Sequence, residues 1–182
     1  MGSFNFDIDK AVSATLLVAS ILHKSKQKAT FHKVFKILYF ADRIHISKYA
    51  RPILGDHYIA MEYGPVPSNI YDVLKRLRST DKSFDLGSMA DLFEINGYCI
   101  IPKQDADLEE LSESEIDCID ESIKDNINLT FGQLTDKSHD AAYTAAEQNT
   151  MISYEDMAKT GGANEELISY MRVLEENSRL FG

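Results

Sequence analysis

The stretch that decides the fold runs from Phe31 to Tyr49 and reads FHKVFKILYFADRIHISKY. At about 100° per residue, Phe31, Phe35, Leu38, Tyr39, Asp42, Ile46 and Tyr49 fall on one stripe of a helix. Ile37, Phe40 and Ile44 form a second apolar patch on the far side. A helix that is apolar on two sides is central to a fold or holds an interface. Thr30 is placed to cap it. Asp42 stands near the middle of the stripe, and a carboxylate there must find partners, because an unpaired buried charge is very costly. Arg51, the amides at the start of a nearby helix and tyrosine hydroxyls are the candidate partners. Two readings follow for Asp42: a structural polar network, or a functional acid.

Working toward the N-terminus, Asp9 can cap a helix over about 10–24, whose Val12, Leu16, Leu17, Val18, Ile21 and Leu22 cover more than one face. Toward the C-terminus, Pro52 and Gly55 mark a turn, and residues 58–63 read as a short strand or extended segment. The run Gly64-Pro65-Val66-Pro67 is expected to be irregular, since its prolines lack donors and disfavour helix before them. Ser68 then caps a helix over about 69–79 with Ile70, Val73, Leu74 and Leu77 on one face. The clearest β signal is a hairpin over about 92–102 turning at Asn96-Gly97. A lone hairpin is marginal in water, so Tyr58–Glu62 is the expected third strand.

Ser112 with Glu115 forms a capping box ahead of Ile116, Ile119, Ile123 and Ile127. Thr130 with Gln133 marks a shorter start, and residues 139–148 are expected to be helical. Ser153 caps a brief helix over 154–159, Gly161-Gly162 breaks it, and Asn164 caps a C-terminal helix over about 164–180. The expectation is an α+β, predominantly α-helical fold: one compact domain spanning 1–182, with a small antiparallel sheet.

The chain has 182 residues, 44% apolar and 26% charged. That length suffices to bury roughly 70% of the unfolded surface without metals or disulfides. No apolar run approaches the ~20 residues that cross a bilayer, and no basic n-region with a cleavage site is present. Cys99 and Cys118 form no CxxC and read as free thiols. A cytoplasmic protein with no membrane partner is the expectation.

The net charge is −10, but residues 10–51 carry nine basic residues and one acid, and residues 103–126 carry ten acids and two lysines. The two segments read either as solvated faces that attract each other or as a polar surface for a charged partner. An acidic total is the wrong footprint for a protein that grips nucleic-acid phosphates.

The sequence contains no P-loop, GxGxxG, GxSxG or HExxH. His45 lies three residues from Asp42, a spacing open to a proton relay, but two ligands are too few for a metal. The expectation is therefore no metal, no cofactor and no catalytic residue. An enzyme using Asp42 with His45 or His57 is the minor alternative.

Three segments go further. Lys36-Ile37-Leu38-Tyr39-Phe40-Ala41-Asp42 is followed by Gly55-Asp56-His57-Tyr58-Ile59-Ala60, then by Tyr63-Gly64-Pro65-Val66-Pro67-Ser68-Asn69-Ile70-Tyr71. In that order and spacing they resemble the Panacea domain, the SocA-like antitoxin family. Leu111 to Glu115, Leu134 and Ser138-His139 resemble the family's second half, so the likeness covers roughly residues 10–160. The sequence departs from the family pattern around His139: Ser138 stands where Thr is usual, Ala141-Ala142-Tyr143 follow instead of a Pro-Trp pair, and the chain has no Trp.

The resemblance implies a non-enzymatic antitoxin that neutralises a co-encoded toxin by direct binding. One branch of the family instead acts as an adaptor delivering its toxin to a Clp-type protease. It marks Lys36, Tyr39, Asp42, Arg51, Gly55, Asp56, Tyr63, Gly64, Pro65, Val66, Tyr71 and His139 as residues of interaction or of structural core. A polar network of Asp42 with Tyr39, Tyr63 and Tyr71 beneath the Gly-Pro turn is compatible with either role.

Overall fold

In a computed structural model, which describes residues 4–79 and 89–181, the long helix foreseen at 31–49 is the hub. Helix α1 (Ile8–Lys24) precedes α2 (Phe31–Tyr49), and α2 packs against α1 and against four of the later helices. Thr30 Oγ1 accepts the Lys33 N–H at 3.2 Å and caps α2. Helix α1 starts earlier than expected: Asp7, not Asp9, caps it, accepting the Lys10 N–H at 3.1 Å. Asp9 sits in the first turn, where its charge still favours the helix dipole.

Strands β1 (Tyr58–Met61) and β2 (Gly64–Pro67) form a tight antiparallel hairpin. The Gly-Pro run is thus a strand, not irregular. The register explains how a strand with two prolines survives. Pro65 and Pro67 oppose Ala60 and Tyr58. Ala60 and Tyr58 turn their backbone groups the other way: Ala60 N–H donates to Thr150 O, and Asn149 and Ile152 N–H groups donate to Ala60 O and Tyr58 O. Both prolines therefore occupy register positions where the hairpin asks for no donor.

Helix α3 (Ser68–Arg78) follows directly, then the single-turn α4 (Met89–Leu92), β3 (Phe93–Asn96) and β4 (Cys99–Pro102). The Asn96-Gly97 hairpin is as expected, with Gly97 at φ +62°. Its expected third strand is not β1: the two hairpins are separate sheets. The β4 hairpin instead binds the segment entering α2. Phe31 N–H donates to Tyr98 O and Ile100 N–H to Ala29 O, both at 2.8 Å. The local partner two residues away, β2, wins β1 because closing a short loop costs least.

Helix α5 (Glu113–Asn126) carries the Ser112–Glu115 capping box, and α6 (Phe131–Ser138) the Thr130–Gln133 box. Of residues 139–148 only α7 (Ala141–Ala145) is helical, capped by Asp140. Helices α8 (Tyr154–Thr160) and α9 (Glu165–Phe181) complete the chain, with Asn164 Oδ1 accepting the Leu167 N–H. The fold is α+β and predominantly helical. Much of the charge asymmetry is settled internally: Lys10 pairs with Glu115 at 2.9 Å, Lys24 with Asp105 at 3.4 Å and Lys48 with Glu121 at 2.7 Å. Among the described residues no helix is long and apolar enough to cross a membrane.

Candidate functional site

Helix α2 spans two environments along its length. Past its midpoint Asp42 is fully enclosed. Its Oδ1 accepts the N–H groups of Ile53 at 2.5 Å and Leu54 at 3.2 Å, and its Oδ2 accepts the Tyr58 hydroxyl at 2.7 Å. Burial pushes the Asp42 carboxyl up to about 7, and the three donors pull back against it. Asp56 repeats the device. Its two oxygens accept the N–H groups of Asn69 at 2.9 Å and Ile70 at 3.0 Å. It thereby caps α3 from a distance, a role expected of Ser68, which is instead the first helical residue and makes no side-chain cap. The Tyr154 hydroxyl donates to the Asp56 carbonyl at 2.5 Å. Gly55, at φ +63°, passes so close to the Asn5 carbonyl that a Cβ would collide with it.

The expected network is thereby corrected. Tyr58, not Tyr39, Tyr63 or Tyr71, serves Asp42. Tyr39 donates to both oxygens of Asp140 at 3.0 Å, where Arg43 also binds at 2.5 Å. The Arg51 side chain is exposed and never reaches Asp42. Its carbonyl meets His45 Nδ1 at 2.7 Å, and His45 Nε2 lies 3.2 Å from Ser114 Oγ. His57 Nδ1 is buried with no partner among the described residues. No hydrogen bond between described residues joins Asp42 to His45 or His57, so the acid–histidine pairing is not assembled.

The N-terminal end of the same face of α2 borders a groove of about 870 Å³. Phe31, Phe35 and Tyr71 form its floor, with Tyr71 edge-on to both phenylalanines at 6.2 and 5.6 Å. Tyr98 stands edge-on to Phe31 at one end, and Tyr63 edge-on to Phe131 at the other. The rim residues are strongly exposed for aromatic side chains: Tyr63 54%, Phe131 53% and Tyr98 62%. His32 stacks on Phe131 at 3.8 Å and reaches Thr135 Oγ1 at 3.0 Å. Burial, reinforced by the nearby Lys36 charge, holds His32 down to about 4, so the ring is neutral.

Lys36 lies under the Tyr63 end, only 1% exposed, and donates to the Pro65 carbonyl at 2.8 Å. Burial brings its ammonium down to about 7. Gly64, at φ +94°, is the residue that lets the strand sit on it, because a Cβ there would collide with Ser138 Oγ and the Lys36 side chain. Val66 lines the groove beside it. The 138–143 segment is tied to the same place by Tyr143, whose hydroxyl donates to Met61 O at 2.9 Å. His139 itself is exposed and stacks on Tyr143 at 4.2 Å, outside the groove.

Of the twelve residues singled out in the sequence, Lys36, Tyr63, Gly64, Val66 and Tyr71 line the groove. Asp42, Gly55 and Asp56 belong to the buried supports, while Arg51 and His139 lie apart. Tyr58, Tyr98, Phe131 and Asp140 were missed. Phe131 carried a usable signal, an aromatic at the first turn of a short capped helix with no apolar stripe demanding it. Tyr98 carried none beyond its place after a hairpin turn.

The model of the family described as "Antitoxin SocA-like, Panacea domain" matches residues 34–143. The chain belongs to this SocA-like antitoxin family. No curated protein and no solved structure matches it. The matched span runs from α2 through α7, so it contains the Asp42 and Asp56 supports and most of the groove wall. Membership of the Panacea family gives the chain a toxin–antitoxin-related role. Among the described residues no group of three His, Cys, Asp or Glu side chains is placed to hold a metal.

Proposed function

We propose that this Panacea-domain protein neutralises a co-encoded toxin in the cytoplasm by direct stoichiometric binding, without catalytic turnover, and that the aromatic groove is the docking surface. The observation that carries this is the clustering of Tyr63, Tyr98 and Phe131, each more than half exposed, around one groove built on α2. Exposed aromatic clusters on a soluble surface mark interaction sites, and tyrosines bring large contact area at little entropic cost. The groove is preformed by the Gly64–Lys36–Pro65 contact, which reduces what binding must spend on ordering.

Co-expression tests the reading. The neighbouring gene's product should arrest growth alone, be harmless with this protein, and co-purify with it as a complex of fixed stoichiometry. A Tyr63→Ala, Phe131→Ala double variant should weaken both rescue and complex at least tenfold. Rescue with no detectable complex would overturn direct binding. Loss of that rescue in a host lacking its Clp-type protease would then identify delivery for proteolysis.

A further inference from the structure

The two ends of the groove differ in what already occupies their rings. At the Tyr98 end the rings hold cations of this chain: Arg78 lies over Tyr98 at 4.4 Å and Lys75 over Tyr71 at 4.6 Å. At the other end Tyr63 and Phe131 stand at 64° to each other, centroids 5.5 Å apart, each more than half exposed. No cation of a described residue lies over either ring. Beside them stands Glu62, the one exposed charged residue among the described residues that line the groove. Its carboxylate makes no hydrogen bond or ion pair with a described residue. Nothing else in the lining offsets its charge. Lys36 is 1% exposed with its ammonium on the Pro65 carbonyl, and His32 is neutral.

An aromatic ring face is negative and attracts a cation, and a carboxylate beside it meets the same charge. A lysine or arginine suits such a corner twice over: its apolar stem lies along the rings while its head reaches the carboxylate. An acidic side chain there would face Glu62 and the ring faces together, on a protein of net charge −10. The backbone narrows the mode of binding. The outward positions of β2 are Pro65 and Pro67, which offer no N–H, and the Pro65 carbonyl is already taken by Lys36. A partner strand therefore cannot add to that edge by the ladder bonds that drive β-augmentation. Recognition has to run through side chains.

We propose, resting on the antitoxin reading, that the Tyr63–Phe131 corner receives a lysine or arginine side chain from a short segment of the toxin, its charge meeting Glu62, with a neighbouring apolar side chain of that segment lying along the groove toward Tyr71. The occupant is a protein segment of basic–apolar chemistry. The amides of Gln148 and Asn149, exposed at the groove, serve the polar backbone of that segment, since an amide both donates and accepts.

The test uses the full chain, a non-toxic variant of the co-encoded toxin, and short fluorescein-labelled peptides tiled over the toxin sequence. Fluorescence anisotropy should find a tile holding Lys or Arg beside a Leu, Phe or similar residue, and this tile should compete with the intact toxin. Glu62→Lys, at an exposed hairpin tip, should leave the urea midpoint unchanged and weaken binding of both toxin and tile at least tenfold. Exchanging the tile's basic residue for Glu should restore affinity for Glu62→Lys alone. Glu62→Gln, which removes the charge and keeps the shape, should weaken binding less than Glu62→Lys and reduce its dependence on salt. Arg78→Glu, at the other end, should bind the toxin within twofold of wild type. If the toxin binds Glu62→Lys with unchanged affinity, or no tile holding Lys or Arg competes, the assignment of a basic segment is overturned. The docking reading still stands in that case if the Tyr63→Ala, Phe131→Ala variant binds the toxin poorly. If the wild-type chain does not bind the toxin, both are overturned. Concentration-dependent dimerisation that Phe131→Ala abolishes would make a second copy the occupant and overturn the proposal.

Discussion

Around the C-terminal half of α2, where Asp42 and His45 stand, both oxygens of the acid and both nitrogens of the ring meet partners from within the chain. At its N-terminal end, Phe31 and Phe35 are buried beneath a groove whose rim rings, Tyr63, Tyr98 and Phe131, are more than half exposed. One helix therefore serves both halves, and the difference separates support from surface. A saturated polar network has no capacity left for a ligand, and its value is in fixing the 51–71 segment against α2. The exposed rim of the aromatic trough contributes little to folding and retains its capacity to bind, while Phe31 and Phe35 beneath it belong to the core. The family motif spans both, which is why its residues divide between core and groove.

The largest expected effect lies in the buried network. Asp42→Ala strands the Tyr58 hydroxyl and the N–H groups of Ile53 and Leu54, and should cost ~2–4 kcal/mol in chemical denaturation. An unchanged midpoint would remove the distinction between the two regions. Next is the hinge between them: Gly64→Ala forces φ +94° on an alanine and drives its Cβ into Ser138 and Lys36. A loss of ~1–3 kcal/mol is expected, accompanied by weakened toxin binding because the groove wall moves.

A smaller effect concerns Lys36. Its folded-state value of about 7 lies below the ordinary 10.5, so between those pH values the unfolded chain holds more protons than the folded one. Lys36 therefore makes stability rise with pH through this window. Urea titrations from pH 7 to 9 should show Lys36→Met with a flatter rise than wild type, by at most ~1.4 kcal/mol per pH unit. Parallel slopes would mean that the buried ammonium is better compensated than its single carbonyl bond indicates. The smallest effect should come from the rim. Tyr63→Ala removes a half-exposed ring and should alter stability by less than ~0.5 kcal/mol. A larger loss would make Tyr63 part of the support.

The capping residues Thr30, Ser112, Thr130, Ser153 and Asn164 were legible because a cap acts within three or four residues, and so was the Asn96-Gly97 turn. The two-sided apolar pattern placed α2 at the centre, and the stripe position of Asp42 required its burial. Errors arose wherever a distant group took over a local role. Asp56 caps α3 across thirteen residues, so Ser68 is not needed as a cap. The 149–152 segment takes the outer edge of β1, which lets the prolines of β2 occupy positions that need no donor.

The sequence by itself determined the helical class, the central helix, the single Asn-Gly hairpin and membership of the Panacea family, because these depend on periodicity, capping and motif order along the chain. Only the tertiary structure decided that Tyr58 serves Asp42 and that the two hairpins stay apart. It alone decided that Tyr63, Tyr98 and Phe131, widely spaced in sequence, surround one groove. The physical reason is that hydrogen-bond partners and exposed faces are assigned by competition in space. Spacing along the chain fixes which side chains share a helix face, but not which of several hydroxyls or rings arrives there first.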